Sequence, residues 1–321
     1  MHSFEQLAQQ FIQYFDRRHF PAEPASLYEP NEYFLKIGGK RVRPVLCIMG
    51  NELFDDIKSD AWELATAIEL FHNFTLIHDD IMDQAPLRRG MQTVPEKFGK
   101  NTAILSGDVM LVAAYDYISK LDVSFLRPVM TLFNKTAAEV CEGQQIDMDF
   151  ETKEDVTFEQ YLRMIELKTS VLLAASLKMG AIMGGAGERN QQLIYEFGKK
   201  LGLAFQVQDD YLDAFGDPSK FGKQVGGDIL ANKKTFLLIH ALEAATPGQK
   251  KELKKLLSGN GDDKVSKVTQ LFHECGVDDW ALQLKNQFID EAFNHLEDIA
   301  VLSKRKEPLK ELAYFLIKRE H

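Results

Sequence analysis

Helical spacing of the apolar residues is the feature that most constrains this chain. Apolar side chains recur every three to four residues almost throughout, whereas strict alternation of apolar and polar residues rarely lasts beyond about five residues. Hydrophobic residues make up 45% of the 321 residues, which is enough for a large core. The pattern therefore predicts an all-α protein built as a single large helical bundle, and it argues against a disordered chain.

The breaks in this periodicity fall at short clusters of turn-forming residues, such as Gly184-Gly185-Ala186-Gly187 and Ser258-Gly259-Asn260-Gly261. None of these clusters is long enough to be a linker between domains, so we expect one domain covering residues 1–321. The predicted helices cover residues 3–18, 40–54, 58–84, 95–119, 124–150, 157–184, 190–215, 233–246, 264–275, 277–302 and 306–319.

Bulk composition excludes several classes of protein. The net charge of −10 disfavours nucleic-acid binding, which usually needs a basic face. Cys47, Cys141 and Cys275 lie far apart in the sequence, which argues against a disulfide framework and against structural zinc. The first residues show no basic stretch followed by an apolar run, and no segment approaches 18 uninterrupted apolar residues, so we expect neither a targeting peptide nor a transmembrane segment. We expect a soluble, cytoplasmic protein.

Two acidic motifs with the same spacing lie on predicted helices: Asp79, Asp80 and Asp83, and Asp209, Asp210 and Asp213. On a helix, residues four apart share a face, so Asp79 and Asp83 lie close together. Most Asp clusters are solvated helical faces, but apolar residues flank both of these motifs, and carboxylates among buried positions need a cation. Oxygen ligands without cysteine favour Mg²⁺, which binds one or two carboxylates and completes its shell with phosphates.

Basic residues accompany both acidic motifs. Gly38 and Gly39 precede Lys40 at the start of a predicted helix, and helix N-termini bind anions well. Each cation alone is more simply an ordinary surface residue, but together they indicate two anion sites, one acting through metal and one by direct contact. These residues are Lys40, Arg43, Arg88, Arg89, Lys168, Lys223 and Lys233.

The order of these motifs resembles the trans-isoprenyl diphosphate synthases, also called polyprenyl synthetases. The matching segments are GGKRVRP, HDDIMD, LRRG, EGQQIDMD, KTSVLL, FQVQDDYLD and GDPSKFGKQVGGD. The resemblance implies a homodimer with the isoprenoid synthase fold and a central cavity. It also implies a Mg²⁺-dependent prenyltransferase that condenses isopentenyl diphosphate head-to-tail with an allylic diphosphate and releases pyrophosphate.

The resemblance further implies roles for individual residues. Three Mg²⁺ ions would be held on the allylic diphosphate by Asp79, Asp83 and Asp209, and the catalytic motifs would be completed by Asp80, Asp210 and Asp213. The allylic diphosphate would also be contacted by Arg88, Lys168 and Lys223, with Lys233 as a further substrate-binding residue. Isopentenyl diphosphate would be held by Lys40, Arg43, His72 and Arg89. The developing carbocation would face Thr169 and Gln206.

Product length is expected to depend on Phe74 and Thr75, five and four residues before Asp79. In resembling enzymes a bulky side chain at this depth stops growth of the chain, although Phe74 could also be ordinary core packing. We therefore expect a short product, first geranylgeranyl diphosphate (C20) and second farnesyl diphosphate (C15).

Other classes of protein explain less of the sequence. A helical phosphohydrolase using His72 and His78 would leave the second acidic motif and the basic residues without a role. A di-iron bundle could start from Glu69-x-x-His72, but no second such motif follows in a matching helix. A terpene cyclase would not need the cations of the isopentenyl site, and a non-catalytic subunit of a heteromeric synthase would be expected to have lost parts of the acidic motifs.

Overall fold

The structure is a computed structural model that describes residues 1–216, 225–259, 261 and 263–317. Over these residues the secondary structure is helical except for one two-stranded antiparallel sheet. The predicted all-α class is therefore confirmed. The contacts form two compact units, one made of Met1–Phe133 with Ser176–Gln192, and the other of Asn134–Ala175 with the described residues from Leu193 onward. The single domain expected over residues 1–321 stays a prediction.

The first half of the chain carries seven helices and the small sheet. Strand β1 (Leu87–Arg88) pairs with strand β2 (Met91–Gln92) directly after the first acidic motif. The helices are α1 (Phe4–Phe15), α2 (Ala25–Lys36), α3 (Val42–Phe54), α4 (Ser59–Met82), α5 (Val94–Phe98), α6 (Lys100–Ser119) and α7 (Val123–Thr152).

The second half begins with a helix that changes its hydrogen-bonding pattern part way along. Helix α8 (Phe158–Ile165) continues into one turn of π-helix (Glu166–Ser170) and then into α9 (Val171–Met183). The remaining helices of the described chain are α10 (Glu188–Phe215), α11 (Gly227–Leu230), α12 (Phe236–Ala244), α13 (Pro247–Leu257), α14 (Lys264–Glu274), α15 (Val277–Glu297) and α16 (Ser303–Ile317).

Close packing against α6 anchors the end of α4 that carries the first acidic motif. The ring of His78 lies over Gly107, where an added Cβ would be only 2.2 Å from His78 Nε2. The same nitrogen is 3.1 Å from the carbonyl oxygen of Ile104. Because a side chain at residue 107 would displace the ring, glycine there fixes the approach of the two helices.

The π-helical turn coincides with Lys168 and Thr169, two of the predicted site residues. Its backbone lies very close to two glycines: an added Cβ would be 2.3 Å from the Lys168 nitrogen at Gly143 and 2.8 Å from the Ser170 Cα at Gly202. Single π turns inside α-helices are frequent at functional sites because they re-aim side chains. The prediction of one regular helix over 157–184 was therefore wrong in this detail.

Three helices of the described residues were not predicted, namely α2, α13 and the four-residue α11, and one predicted helix is interrupted. Helix α2 contains Pro30, whose missing N–H obscured the helical pattern. Helix α13 has Leu253 as its one buried residue, although Thr246 and Gln249 form a capping box that could have revealed it. The helix predicted over 95–119 is divided at Gly99, which has a φ of 89°.

Candidate active site

A basic cluster in the first unit surrounds the start of α3. An Nη of Arg43 lies 3.1 Å from His72 Nε2. The Nε of the same guanidinium is buried and has no hydrogen-bond partner among the described residues. A buried donor without an acceptor is costly, so an arriving anion would gain a strong, charge-assisted hydrogen bond at this atom.

Arg89 and the two glycines complete this cluster. The guanidinium of Arg89 lies against Gly39, where an added Cβ would be 2.8 Å from Arg89 Nη1. Gly38 has a φ of 79°, and Gly39 one of 158°, so a side chain would be strained at either position. Lys40 follows directly and is exposed. The structure thus brings the predicted isopentenyl-site residues together within one unit.

Electrostatics in this cluster favour an anion. Burial lowers the pKa of His72 well below its usual value, and the positive charge of Arg43 adds to that effect. His72 is therefore neutral at pH 7, with Nε2 accepting from Arg43. Burial also lowers the pKa of Arg43 to about 10, although the negative charge of Glu69 opposes this shift.

Arg41 belongs to the same segment, but its side chain stabilises the fold and is not available to a ligand. Its guanidinium is buried and forms an ion pair with Glu69. The other carboxylate contact of Glu69 is to Asn73, whose Nδ2 donates to Oε1 at 3.0 Å. The di-iron alternative would require the carboxylate of Glu69 as a metal ligand, but this carboxylate already binds Arg41 and Asn73.

Within the first acidic motif the three carboxylates have different environments. Asp80 is fully buried, Asp79 is partly buried and Asp83 is exposed at the end of α4. Arg88 Nε donates to both oxygens of Asp80, at 2.9 and 3.1 Å, and Nη2 lies 2.8 Å from Asp80 Oδ1. The Nη2 also donates to Asp79 Oδ2 at the longer distance of 3.5 Å. Burial raises the pKa of Asp80, and the hydrogen bond from Arg88 opposes that shift. Asp80 therefore binds Arg88 in the interior, whereas Asp79 and Asp83 are more exposed to solvent.

The second acidic motif contains one buried carboxyl with two donors. Asp210 accepts hydrogen bonds from the hydroxyl of Tyr161 and, at 2.9 Å, from Nε2 of Gln206. The Oε1 of Gln206 is 3.4 Å from the hydroxyl of Thr169. Burial raises the pKa of Asp210 to about 8, and the neighbouring negative charge of Asp228 adds to it. An extra cation here would be strongly stabilised.

The third carboxylate of this motif organises the next short helix. Asp213 Oδ2 accepts the backbone N–H of Asp228 at 2.9 Å, near the N-terminus of α11. Asp228 in turn lies 3.3 Å from Lys233 Nζ. Burial lowers the pKa of Lys233, but the attraction and hydrogen bond of Asp228, together with the charges of Asp147 and Asp210, raise it overall.

Lys168, aimed by the π-helical turn, forms an ion pair with Asp147. The distance from Nζ to Oδ2 is 2.6 Å. Asp147 belongs to the EGQQIDMD segment of α7, which the sequence singled out without giving this residue a role. Lys223, the remaining predicted contact to diphosphate, lies outside the described residues.

Some site residues were missed by sequence reasoning. Asp147 and Asp228 belong to segments that the sequence analysis identified. As acidic residues in these segments, they could have been predicted to pair with Lys168 and Lys233. Tyr161 had no signal of its own, because its role depends on contact with a residue 49 positions away. Arg88, predicted to contact diphosphate, is held by Asp80 in this structure.

Phe74 and Thr75 lie one turn before the first motif. The Phe74 ring is half-buried, with its centroid 4.8 Å from that of His78 and 5.7 Å from that of Phe71. Thr75 donates its hydroxyl to the carbonyl oxygen of His72 at 2.8 Å. Phe74 therefore packs among aromatic side chains of α4.

The carboxylates fit a hard divalent cation that is shared with a substrate. Over the described ranges, no group of three or more His, Cys, Asp or Glu side chains could hold a metal ion by itself. Mg²⁺ suits such a site because it usually binds through one or two carboxylates, water and substrate phosphates. Asp79 and Asp83 in the first unit, and Asp209 in the second, are accessible or partly accessible carboxylates of the kind that Mg²⁺ prefers.

The helices and paired acidic motifs define an all-α protein with the isoprenoid synthase fold. The family model of the polyprenyl synthetases matches residues 24–275. The chain belongs to this family. No helix among the described residues is long and apolar enough to cross a membrane.

Similar proteins include enzymes with products of different length. The geranylgeranyl diphosphate synthase of Methanosarcina mazei is 38% identical, covering 93% of this chain and 91% of its own. A geranylfarnesyl diphosphate synthase of Natronomonas pharaonis is 33% identical, covering 93% and 92%. The crystal structure of a geranylgeranyl pyrophosphate synthase superposes with a TM-score of 0.95 and 42% identity over 100% of both chains.

The Asp80–Arg88 pair generates a prediction about stability. Asp80→Ala should lower the free energy of unfolding by about 3 kcal/mol, because it leaves a partly buried guanidinium without its partner. Asp83→Ala, at an exposed position, should lower it by less than about 0.5 kcal/mol. Urea unfolding followed by circular dichroism measures both, and equal effects would contradict the distinct role of Asp80.

Proposed function

We propose that this protein is a short-chain trans-prenyltransferase that adds isopentenyl diphosphate head-to-tail to an allylic diphosphate. Its product is proposed to be geranylgeranyl diphosphate (C20), with farnesyl diphosphate (C15) as the next candidate. The observation that carries the proposal is the basic cluster with the buried, unpartnered Arg43 Nε, in a chain that also holds two acidic motifs. Membership of the polyprenyl synthetase family and a relative named for a C20 product support it.

Mg²⁺ is the proposed cofactor, with three ions bound when the allylic diphosphate is present. When bound, they neutralise the charge that builds up on the departing pyrophosphate. Their proposed ligands are Asp79, Asp83 and Asp209. The other three carboxylates of the motifs position protein groups: Asp80 holds Arg88, Asp210 holds Gln206, and Asp213 holds the Asp228 segment.

The chain's own cations would share the charge of the leaving group. The proposed contacts to the allylic diphosphate are Arg88, Lys168, Lys223 and Lys233. The ion pairs to Asp80 and Asp147 keep Arg88 and Lys168 oriented before substrate arrives. Cleavage of the allylic C–O bond leaves a carbocation, which Thr169 and Gln206 would face.

The second substrate would be held without metal. Arg43, Arg89 and Lys40 bind the isopentenyl diphosphate in this proposal, and neutral His72 adds a hydrogen bond. The isopentenyl double bond then attacks the carbocation, and loss of a proton to the released pyrophosphate completes the addition. Apolar walls exclude the water that would otherwise capture the cation.

Product length is proposed to be limited by Phe74, with Thr75 beside it. The aromatic packing of Phe74 between Phe71 and His78 supports a firm wall at this depth. We further propose that the enzyme is a homodimer that acts in the cytoplasm. The basic cluster disfavours a terpene cyclase, which has no isopentenyl diphosphate to bind, and the complete acidic motifs disfavour a non-catalytic subunit.

A product assay tests the proposed function directly. The purified protein is incubated with Mg²⁺, isopentenyl diphosphate and dimethylallyl, geranyl or farnesyl diphosphate in turn. Mass spectrometry of the dephosphorylated products should show a dominant C20 alcohol. No prenyl elongation with any primer, or cyclic hydrocarbons in its place, would overturn the proposal.

Removing a proposed metal ligand should abolish most of the turnover. Asp79→Ala and Asp209→Ala should each lower kcat by about 10²–10³-fold, the loss typical of one key electrostatic element. Asp116→Ala, which removes an exposed carboxylate from α6, is the control and should keep wild-type turnover. Near-normal kcat in either motif variant, or full activity in EDTA, would remove the proposed metal role.

Truncating the basic cluster should affect one substrate selectively. Lys40→Ala, Arg43→Ala and Arg89→Ala should each raise KM for isopentenyl diphosphate by about tenfold or more, the cost of a charge-assisted hydrogen bond. KM for the allylic diphosphate should stay within about twofold. Lys36→Ala, an exposed cation at the end of α2, serves as the control. A rise in the allylic KM instead would contradict the assignment of this cluster.

Shortening Phe74 should lengthen the product. Phe74→Ala removes the ring between Phe71 and His78, so the growing chain can extend past C20, while the new cavity costs about 3 kcal/mol or somewhat more of stability. Phe315→Ala, which truncates a half-exposed ring of α16, should keep the wild-type product. If Phe74→Ala also keeps it, Phe71 or a residue of α6 becomes the candidate.

A further inference from the structure

The hydroxyl of Tyr161 has a role that the acidic motifs themselves do not suggest. Tyr161 is almost fully buried on α8, and its ring packs against Phe236 with centroids 5.9 Å apart. Its hydroxyl donates to Asp210 Oδ2. The other oxygen of that carboxyl, Oδ1, accepts from Gln206 Nε2 at 2.9 Å. One carboxyl therefore joins Tyr161 to a residue proposed to face the carbocation.

This arrangement determines which way the Gln206 amide points. The NH₂ of the amide donates to Asp210 Oδ1, and the hydroxyl of Thr169 donates to the carbonyl oxygen of the same amide. These contacts fix the orientation, because an amide NH₂ can only donate a hydrogen bond and an amide oxygen can only accept one. The carbonyl Oε1 of Gln206 is then on the side of Thr169, 3.4 Å from its hydroxyl.

The orientation matters because the two ends of an amide carry opposite partial charges. A carbonyl oxygen stabilises a positive charge, whereas an NH₂ group in its place would oppose it. The backbones that carry these side chains pack closely, since an added Cβ at Gly202 on α10 would be 2.8 Å from Ser170 in the π-helical turn. The side-chain hydrogen bonds therefore set the direction of the amide.

We propose that Tyr161 is a positioning residue that fixes, through Asp210, the amide of Gln206 with its carbonyl oxygen on the side of Thr169. Its contribution to the reaction rests on the proposed prenyltransferase function. Tyr161 contacts no substrate in this account and acts only by restraining the carboxyl that orients Gln206. Its removal should therefore slow the chemical step and leave substrate binding intact.

Tyr161→Phe tests this proposal because it removes the hydroxyl and keeps the ring. We expect kcat to fall by about tenfold, the scale of one hydrogen bond, with KM for both substrates within about twofold. Tyr195→Phe removes a tyrosine hydroxyl from the same α10 that carries Gln206 and should leave kcat unchanged. Unchanged kcat in Tyr161→Phe, or a rise in KM alone, would overturn the proposal.

A double-mutant cycle shows whether Tyr161 acts through Asp210. In an Asp210→Asn background the carboxylate that selects the amide orientation is gone, so Tyr161→Phe should then lower kcat by less than about twofold. If Tyr161→Phe costs the same in both backgrounds, the two residues act independently and the proposal is wrong.

A measurement that does not depend on turnover tests this inference independently of the proposed function. The side-chain amide signals of Gln206 in ¹⁵N-labelled protein can be assigned by their loss in Gln206→Met. They should shift in Tyr161→Phe and stay unchanged in Tyr195→Phe. If the wild type makes no prenyl product, the proposed function fails, while these signals still decide whether Tyr161 orients the amide. Unshifted signals in Tyr161→Phe would overturn the inference.

Discussion

Charge held within an apolar helical protein has to be matched by opposite charge, and this requirement shapes both units of the chain. Asp80 is fully buried and is balanced by two hydrogen bonds from Arg88. Asp210 is buried among further carboxylates, and its raised pKa of about 8 shows that its charge is only partly compensated. Arg43 shows the opposite case, because its buried Nε has no acceptor among the described residues. Such incomplete compensation is what a charged ligand and its cations can complete.

Backbone features place these charges. Gly38 and Gly39 have positive φ values next to the basic cluster, and the missing side chain of Gly39 leaves room for the guanidinium of Arg89. Gly143 and Gly202 allow close approach to the π-helical turn that bears Lys168 and Thr169. Function thus depends on small residues as much as on charged ones, because they set the distances over which the charges act.

Much of this could be predicted from the sequence, and the failures have physical causes. Helical periodicity identified the all-α class, and the spacing of the Asp residues identified both motifs, because each signal is local along one helix. Helical spacing could not distinguish Asp80 from Asp79, to which only the resemblance gave different roles, because the difference lies in how closely Arg88 approaches each carboxylate. Tyr161 could not be found for the same reason: its partner Asp210 is 49 residues away. The π-helical turn also escaped, because Lys168 and Thr169 interrupt the apolar pattern without showing whether the turn is α-helical or π-helical.

In the proposed function, protein cations bind one diphosphate directly, whereas the other diphosphate is bound through metal. Isothermal titration calorimetry tests it by titrating isopentenyl diphosphate and geranyl diphosphate separately into the protein, with Mg²⁺ and with EDTA. We expect the affinity for isopentenyl diphosphate to change by less than about threefold, whereas geranyl diphosphate should bind at least about 100-fold more weakly in EDTA, since its site has excess carboxylates. Equal dependence of both ligands on Mg²⁺, or full affinity for geranyl diphosphate in EDTA, would contradict the account.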